Sequence, residues 1–169
     1  MHACRASRNH LYAMHQQVFL KDAVHCGVPD GTAQQYVWLD WDIDTVSIGT
    51  SLLACFESVA LLIRKLKFER DNADEWWCRF ESQQLRDFKH LEMIHVVCQG
   101  GDMEDWHATS EDYPWPCGPE NVFIMDQSQT MRLTEVEDKY DRQFEKAARE
   151  ADPSSEVTFR NGNAIYPHY

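Results

Sequence analysis

Apolar and polar residues alternate along this chain with two different periods, and each change of period marks an element. Residues 63–69 set Leu66 and Phe68 against Lys65 and Lys67, and residues 91–98 set Ile94 and Val96 against Met93 and His95. A period of two predicts strands that bury one face and leave the other to solvent or a partner. Residues 36–39 and 45–48 are further β-rich runs, and residues 40–44 between them predict a hairpin turn. Spacings of three and four appear in residues 4–19 (Leu11, Met14, Val18), 51–60 (Leu52, Leu53, Cys55, Phe56, Val59) and 74–88 (Trp77, Phe80, Leu85, Phe88). These predict helices. Residues 99–119 keep no period and predict a long, mobile acidic loop carrying Trp106 and Pro114-Trp115-Pro116.

The strands share a phase. Ile43-x-x-Val46-x-Ile48, Ile63-x-x-Leu66-x-Phe68 and Leu91-x-x-Ile94-x-Val96 repeat one pattern at spacings of 20 and 28 residues. A further 28 residues reach Pro119, with Val122 and Ile124 in phase as a degenerate fourth unit. Two architectures satisfy this: a strand-plus-helix solenoid of the leucine-rich-repeat kind, or an ordinary small sheet backed by helices. Either is an α/β (α+β) fold. Near the C-terminus, Thr134-x-x-Glu137 has the form of a capping box, followed by a stripe of Val136, Tyr140, Phe144, Ala147 and Ala151. That amphipathic helix carries Glu135/Lys139, Asp138/Arg142 and Glu145/Arg149 at i, i+4 on its polar side. Residues 157–159 and 164–166 around Asn161-Gly162 suggest a terminal hairpin, with Asn163 lengthening its loop. The expected division is an α/β domain over residues 1–126 and a helix with hairpin over residues 127–169.

Composition narrows the function classes. The chain has 169 residues, 43% apolar, and its 16 basic against 28 acidic side chains give a net charge of −12. Nucleic acid is therefore an unsuitable partner, since phosphates are neutralised by clustered Lys and Arg. No apolar run approaches the roughly 20 residues needed to span a bilayer, so no membrane role is expected. The six cysteines are dispersed without a Cys-x-x-Cys pair, and no Asn-x-Ser/Thr acceptor occurs. Both observations point to reduced thiols and an intracellular setting, cytoplasmic or nuclear.

Candidate chemistry is sparse. Asp40-x-Asp42-x-Asp44 resembles the opening of a calcium loop, but an EF-hand would need Gly where Thr45 stands and Glu where Ser51 stands. His90, His95, Cys78 and Cys98 are metal-ligand types whose order matches no common zinc pattern. His25-Cys26 places an imidazole beside a thiol, but adjacent side chains seldom face each other. No catalytic motif and no cofactor-binding motif is present. Pro114-Trp115-Pro116 is stiff and suits an exposed partner contact.

Several segments resemble the two-EXR domain of filamentous fungi. Cys4-Arg5-Ala6-Ser7-Arg8 is similar to its Cys-Arg-Glu-Ser-Arg motif, and Trp38-Leu39 with Asp44-Thr45-Val46-Ser47-Ile48-Gly49 to its paired segments. Ile63-Arg64-Lys65-Leu66 and Phe88-Lys89-His90-Leu91-Glu92 resemble its two following βα units. Ala6 replaces the glutamate that names the motif, and the family's F-box-like first motif has no counterpart after Met1. The resemblance implies a shortened member of a family with no established reaction. It also implies that the face beside Leu11 and Met14 lacks its usual cover, which would favour self-association.

The expected function is a non-catalytic protein-interaction domain. Its candidate partner-binding residues are Lys65, Lys67, Met93 and His95 on one strand face, together with Trp115. The alternative is a small metal-dependent hydrolase built on His90 and His95, or on Asp40, Asp42 and Asp44.

Overall fold

The apolar–polar alternations become neighbouring strands. A computed structural model describes residues 16–19, 36–100, 103–151, 158–160 and 163–165. Strands β1 (Gln16–Phe19) and β2 (Tyr36–Leu39) pair with each other, antiparallel. Strands β3 (Val46–Gly49), β4 (Lys65–Arg70), β5 (Met93–Cys98) and β6 (Val122–Met125) lie in parallel in chain order. Strand β7 (Thr130–Arg132) closes the five-stranded sheet antiparallel to β6. The shared phase sets the register: Val46 lies beside Leu66, Leu66 beside Ile94, and Ile94 beside Val122. The fourth unit is thus a true fourth strand. The fold is α/β.

Short helices connect the strands: 3-10 helix Leu53–Val59, α1 (Glu75–Arg79), 3-10 helix Glu81–Asp87, and α2 (Thr109–Asp112) within the β5–β6 connection. The long helix α3 (Leu133–Ala151) follows β7. One core joins Ile48, Leu66, Phe68, Ile94, Val96, Val122 and Ile124 of the sheet to Leu53, Trp77, Leu85, Trp106, Leu133 and Val136 of the connections. Each such side chain contributes about 1.5–3 kcal/mol relative to exposure. All this burial is on one side of the sheet.

Several expectations are corrected. Residues 16–19 are a strand, not the end of a helix, and the rest of the expected helix, with Leu11 and Met14, lies outside the described residues. The runs at 36–39 and 45–48 do not form a hairpin with each other, because β2 pairs with β1 and β3 with β4. Ile43 is 64% exposed, although its counterparts Ile63 and Leu91 are buried. It sits in the turn that Asp40 organises by accepting the Ile43 and Asp44 amides at 3.2 and 2.8 Å.

The single helix expected over residues 74–88 breaks at Phe80 into α1 and a 3-10 helix. The break accompanies a buried ion pair that begins at the next residue. Arg70 ends β4 on the core side, 5% exposed, facing Glu81 at 2%. Its Nε donates to Glu81 Oε2 at 2.9 Å and its Nη2 to Oε1 at 2.5 Å. The remaining guanidinium N–H groups donate to the carbonyls of Gly49, Glu69 and Ser51 at 3.3, 2.6 and 2.7 Å. Glu81 Oε1 in turn accepts the Leu53 amide at 2.9 Å. A buried pair survives only when its polar atoms are so fully used.

The expected mobile loop is folded inward. Met103, Trp106, Thr109, Tyr113 and Trp115 are buried. Trp77 lies 6.0 Å from Trp106 and 5.7 Å from Tyr113, and Tyr113 lies 5.6 Å from Trp115 between ring centroids. Acidic spacing in the sequence hid an aromatic cluster whose geometry suits edge-to-face contact. Helix α3 closes over this segment through Leu133, Val136 and Tyr140, while Ala147 of the expected stripe is exposed. His107 Nε2 lies 2.9 Å from Asp141 Oδ1, and the Ser110 amide donates to Glu137 Oε1 at 3.0 Å. Glu137 therefore docks the helix instead of capping it. Glu135 reaches back to the Arg132 amide at 3.0 Å in that role. Of the expected i, i+4 pairs, Asp138–Arg142 and Glu145–Arg149 form, at 3.9 and 3.3 Å, whereas Lys139 lies over the Tyr140 ring. The terminal hairpin pairs β8 (Thr158–Arg160) with β9 (Asn163–Ile165), so Asn163 belongs to a strand and not to the loop. Cys55 is disulfide-bonded, contrary to the expectation of reduced cysteines throughout, while Cys78 and Cys117 keep their thiols.

Glu81→Ala leaves the Arg70 guanidinium buried without its counter-ion and is expected to cost about 3–5 kcal/mol. Urea denaturation measures the loss. A change below about 1 kcal/mol would show that the pair does not hold the β3–β4 edge to the connecting helices.

Candidate interaction surface

The strand faces turned away from the core form the candidate site. Alternation in β4, β5 and β6 leaves Lys65, Lys67, Glu69, Met93, His95, Val97, Phe123 and Met125 half-buried, while Leu66, Phe68, Ile94, Val96 and Ile124 between them are buried. Parallel sheets are normally covered on both faces. Here every described helix that buries side chains does so in the core on the other side. Strand register arranges the exposed side chains in rows. Ser47, Lys67, His95, Phe123 and Arg132 form one row across all five strands. Lys65 beside Met93 lies on one flank of it, and Glu69, Val97, Met125 and Thr130 lie on the other.

The row combines cations with aromatic surface. The His95 and Phe123 rings are 5.2 Å apart, and the Arg132 guanidinium lies 5.9 Å from the Phe123 ring. Partial burial first, then the neighbouring Lys67 ammonium, holds the His95 pKa below its ordinary value of 6.5. The imidazole is thus neutral near pH 7 and ready to gain a proton if an anion arrives. Lys65 Nζ donates to the Ile43 carbonyl at 3.0 Å. Lys67 makes no ion pair among the described residues, and Arg132 reaches Glu135 only at 4.0 Å and in solvent. An anionic segment would meet three cations and one titratable ring, with the Glu69 carboxylate on one flank.

Four of the five expected binding residues share this face. Trp115 does not. It is 8% exposed, and its Nε1 donates to the Thr109 carbonyl at 2.9 Å, because the aromatic cluster draws the Pro-Trp-Pro turn into the core. The sequence reading missed Phe123 and Arg132, although the in-phase Val122 and Ile124 already imply that Phe123 faces outward.

The groups proposed for metal chemistry are dispersed. His90 Nδ1 lies 2.7 Å from the Leu61 carbonyl, whereas His95 sits in the middle of the open face. Asp40 and Asp44 spend carboxylate oxygens on amides of their own turn, at 3.0 and 2.8 Å, and Asp42 pairs with Arg64 at 3.0 Å. Cys78 donates to the Asn72 carbonyl and accepts from the Tyr113 hydroxyl. Among the described residues no group of three or more His, Cys, Asp or Glu converges to hold a metal. His25-Cys26 lies outside them. A cleft of about 140 Å³ between the 3-10 helices Leu53–Val59 and Glu81–Asp87 is lined by Leu53, Ala54, Glu57, Gln84, Asp87 and Phe88. It is smaller than the roughly 300–1,000 Å³ of ordinary ligand pockets.

Comparison with known proteins finds no family model that matches the chain, and no curated protein or solved structure that matches it. Among the described residues no helix is long and apolar enough to cross a membrane.

The His95 imidazole should titrate below 6.5 in the folded protein. In Lys67→Ala its midpoint should move upward, since one of the two causes of the depression is removed. Proton NMR of the ring resonances over pH 4.5–8.5 (a range of about two units either side of an ordinary histidine) measures both. An unchanged midpoint would separate Lys67 from His95 electrostatically.

Proposed function

We propose that the chain is a non-catalytic protein-interaction module whose open sheet face takes up an acidic segment of a partner protein. One observation carries the proposal: Lys67, His95 and Arg132 share a single row with Phe123, on a face that no described helix covers. Cations collected on one face of a chain of net charge −12 favour an anionic partner there and repel one elsewhere. Apolar atoms of Met93, Val97, Phe123 and Met125 supply the area that charge alone does not.

Kinship with the two-EXR domain belongs to the same proposal. Three of the segments that carry the resemblance fall at β3, at the start of β4 and in the approach to β5, while Trp38-Leu39 lies in β2 and Cys4–Arg8 lies outside the described residues. An intracellular setting, cytoplasmic or nuclear, belongs to the same proposal: the free thiols of Cys78, Cys98 and Cys117 support it, and the disulfide at Cys55 counts against it.

The test is the paired substitution Lys65→Glu/Lys67→Glu. It reverses charge on the face and touches no core side chain, so stability should change by about 1 kcal/mol at most. Proteins retained from native cell extract by the unaltered chain should no longer be retained by the variant, at an unchanged thermal midpoint. Retention of the same partner by a normally folded variant would move the binding surface elsewhere.

A further inference from the structure

Granted the interaction role proposed for the open face, the spacing of the charged row defines the partner more closely than its sign does. Lys67 and Arg132 stand three strands apart, with His95 and Phe123 between them. At about 4.8 Å per strand the two cationic positions are about 14 Å apart along the row. An extended peptide advances about 3.4 Å per residue and turns every second side chain to the same side. Residues four apart in such a peptide therefore span about 14 Å. The residue midway between them arrives above the gap between His95 and Phe123, whose rings are 5.2 Å apart.

We infer that the face binds an extended segment of the form acidic-x-apolar-x-acidic, laid across the strands along the row Lys67–His95–Phe123–Arg132. The first carboxylate meets Lys67, the central side chain, best an aromatic one, packs on the His95 and Phe123 rings, and the second carboxylate meets Arg132. The flanking rows bias the docking. Lys65 lies on one side and attracts acidic residues, while Glu69 lies on the other and repels them.

The chain's own acidic connection does not supply this segment. Over residues 103–112 Met103, Trp106 and Thr109 are buried in the core, and the Asp105 carbonyl accepts from Asn72. A second copy is disfavoured by like charge, since each carries −12.

The experiment uses the full chain and two labelled peptides of identical composition, Gly-Glu-Ser-Phe-Ser-Glu-Gly and Gly-Glu-Glu-Phe-Ser-Ser-Gly, followed by fluorescence anisotropy at low salt. The first should bind about two- to fivefold more tightly, the worth of one well-placed exposed ion pair. Arg132→Glu and Phe123→Ala, checked for folding by circular dichroism, should bring it down to the level of the second. Equal binding of both peptides overturns the spacing, and the interaction role survives if Lys65→Glu/Lys67→Glu then abolishes both. Equal binding that persists in that double variant overturns the role as well. Binding of neither peptide overturns the spacing, and partner capture then decides the role. Sedimentation showing self-association that Phe123→Ala abolishes would make a second copy the occupant and overturn the inference.

Discussion

Five N–H groups of one arginine organise the C-terminal edge of the sheet. Arg70 reaches the end of β3, the start of the 3-10 helix Leu53–Val59 by way of Glu81, and the element after α1, all without leaving the core. Its guanidinium also lies 5.7 Å from the rings of both Phe68 and Trp77. An arginine placed there commits its surroundings. The carboxylate has to come to it, so the helical run after Asp74 breaks to bring Glu81 inward. Two of the carbonyls it bonds, those of Gly49 and Ser51, belong to a turn that holds Gly49 at a φ of 55°, a conformation easiest without a side chain. Once these groups are fixed, β3 and β4 cannot slide relative to each other, and the register of the open face is fixed with them.

The sheet was legible in the sequence because its signal is local. A period of two names the inward side chains Leu66, Phe68, Ile94 and Val96, and leaves Lys65, Lys67, Met93 and His95 for the other face, as the structure has them. The same arithmetic reached Val122 and Ile124. Pairing partners were not legible. Nothing near residues 40–44 says that β3 pairs with a strand beginning at Lys65 and not with β2, since that choice depends on contacts across the sheet. Trp115 failed for a related reason. Two prolines and an acidic neighbourhood read as surface, and only the convergence of Trp77, Trp106 and Tyr113 explains its burial.

The candidate site was half legible. Faces follow from alternation, so four of its residues were found. Rows follow from register between strands, so Phe123 and Arg132 joined the site only with the pairings of β6 known. The face gains meaning as a row: a neutral imidazole between an ammonium and an aromatic ring differs from a histidine on a surface.

Strand order also has a consequence for how the molecule comes into being. From β3 to β7 every strand lies beside its predecessor in the chain. A nascent polypeptide therefore meets its docking edge already made each time a strand emerges. No strand has to wait for a distant segment or insert between two that are already joined. Such assembly by accretion keeps sequence separations short, which favours fast folding over topologies that close long loops first. Helix α3 follows β7 in the chain, so the aromatic connection it closes over is already in place when it emerges.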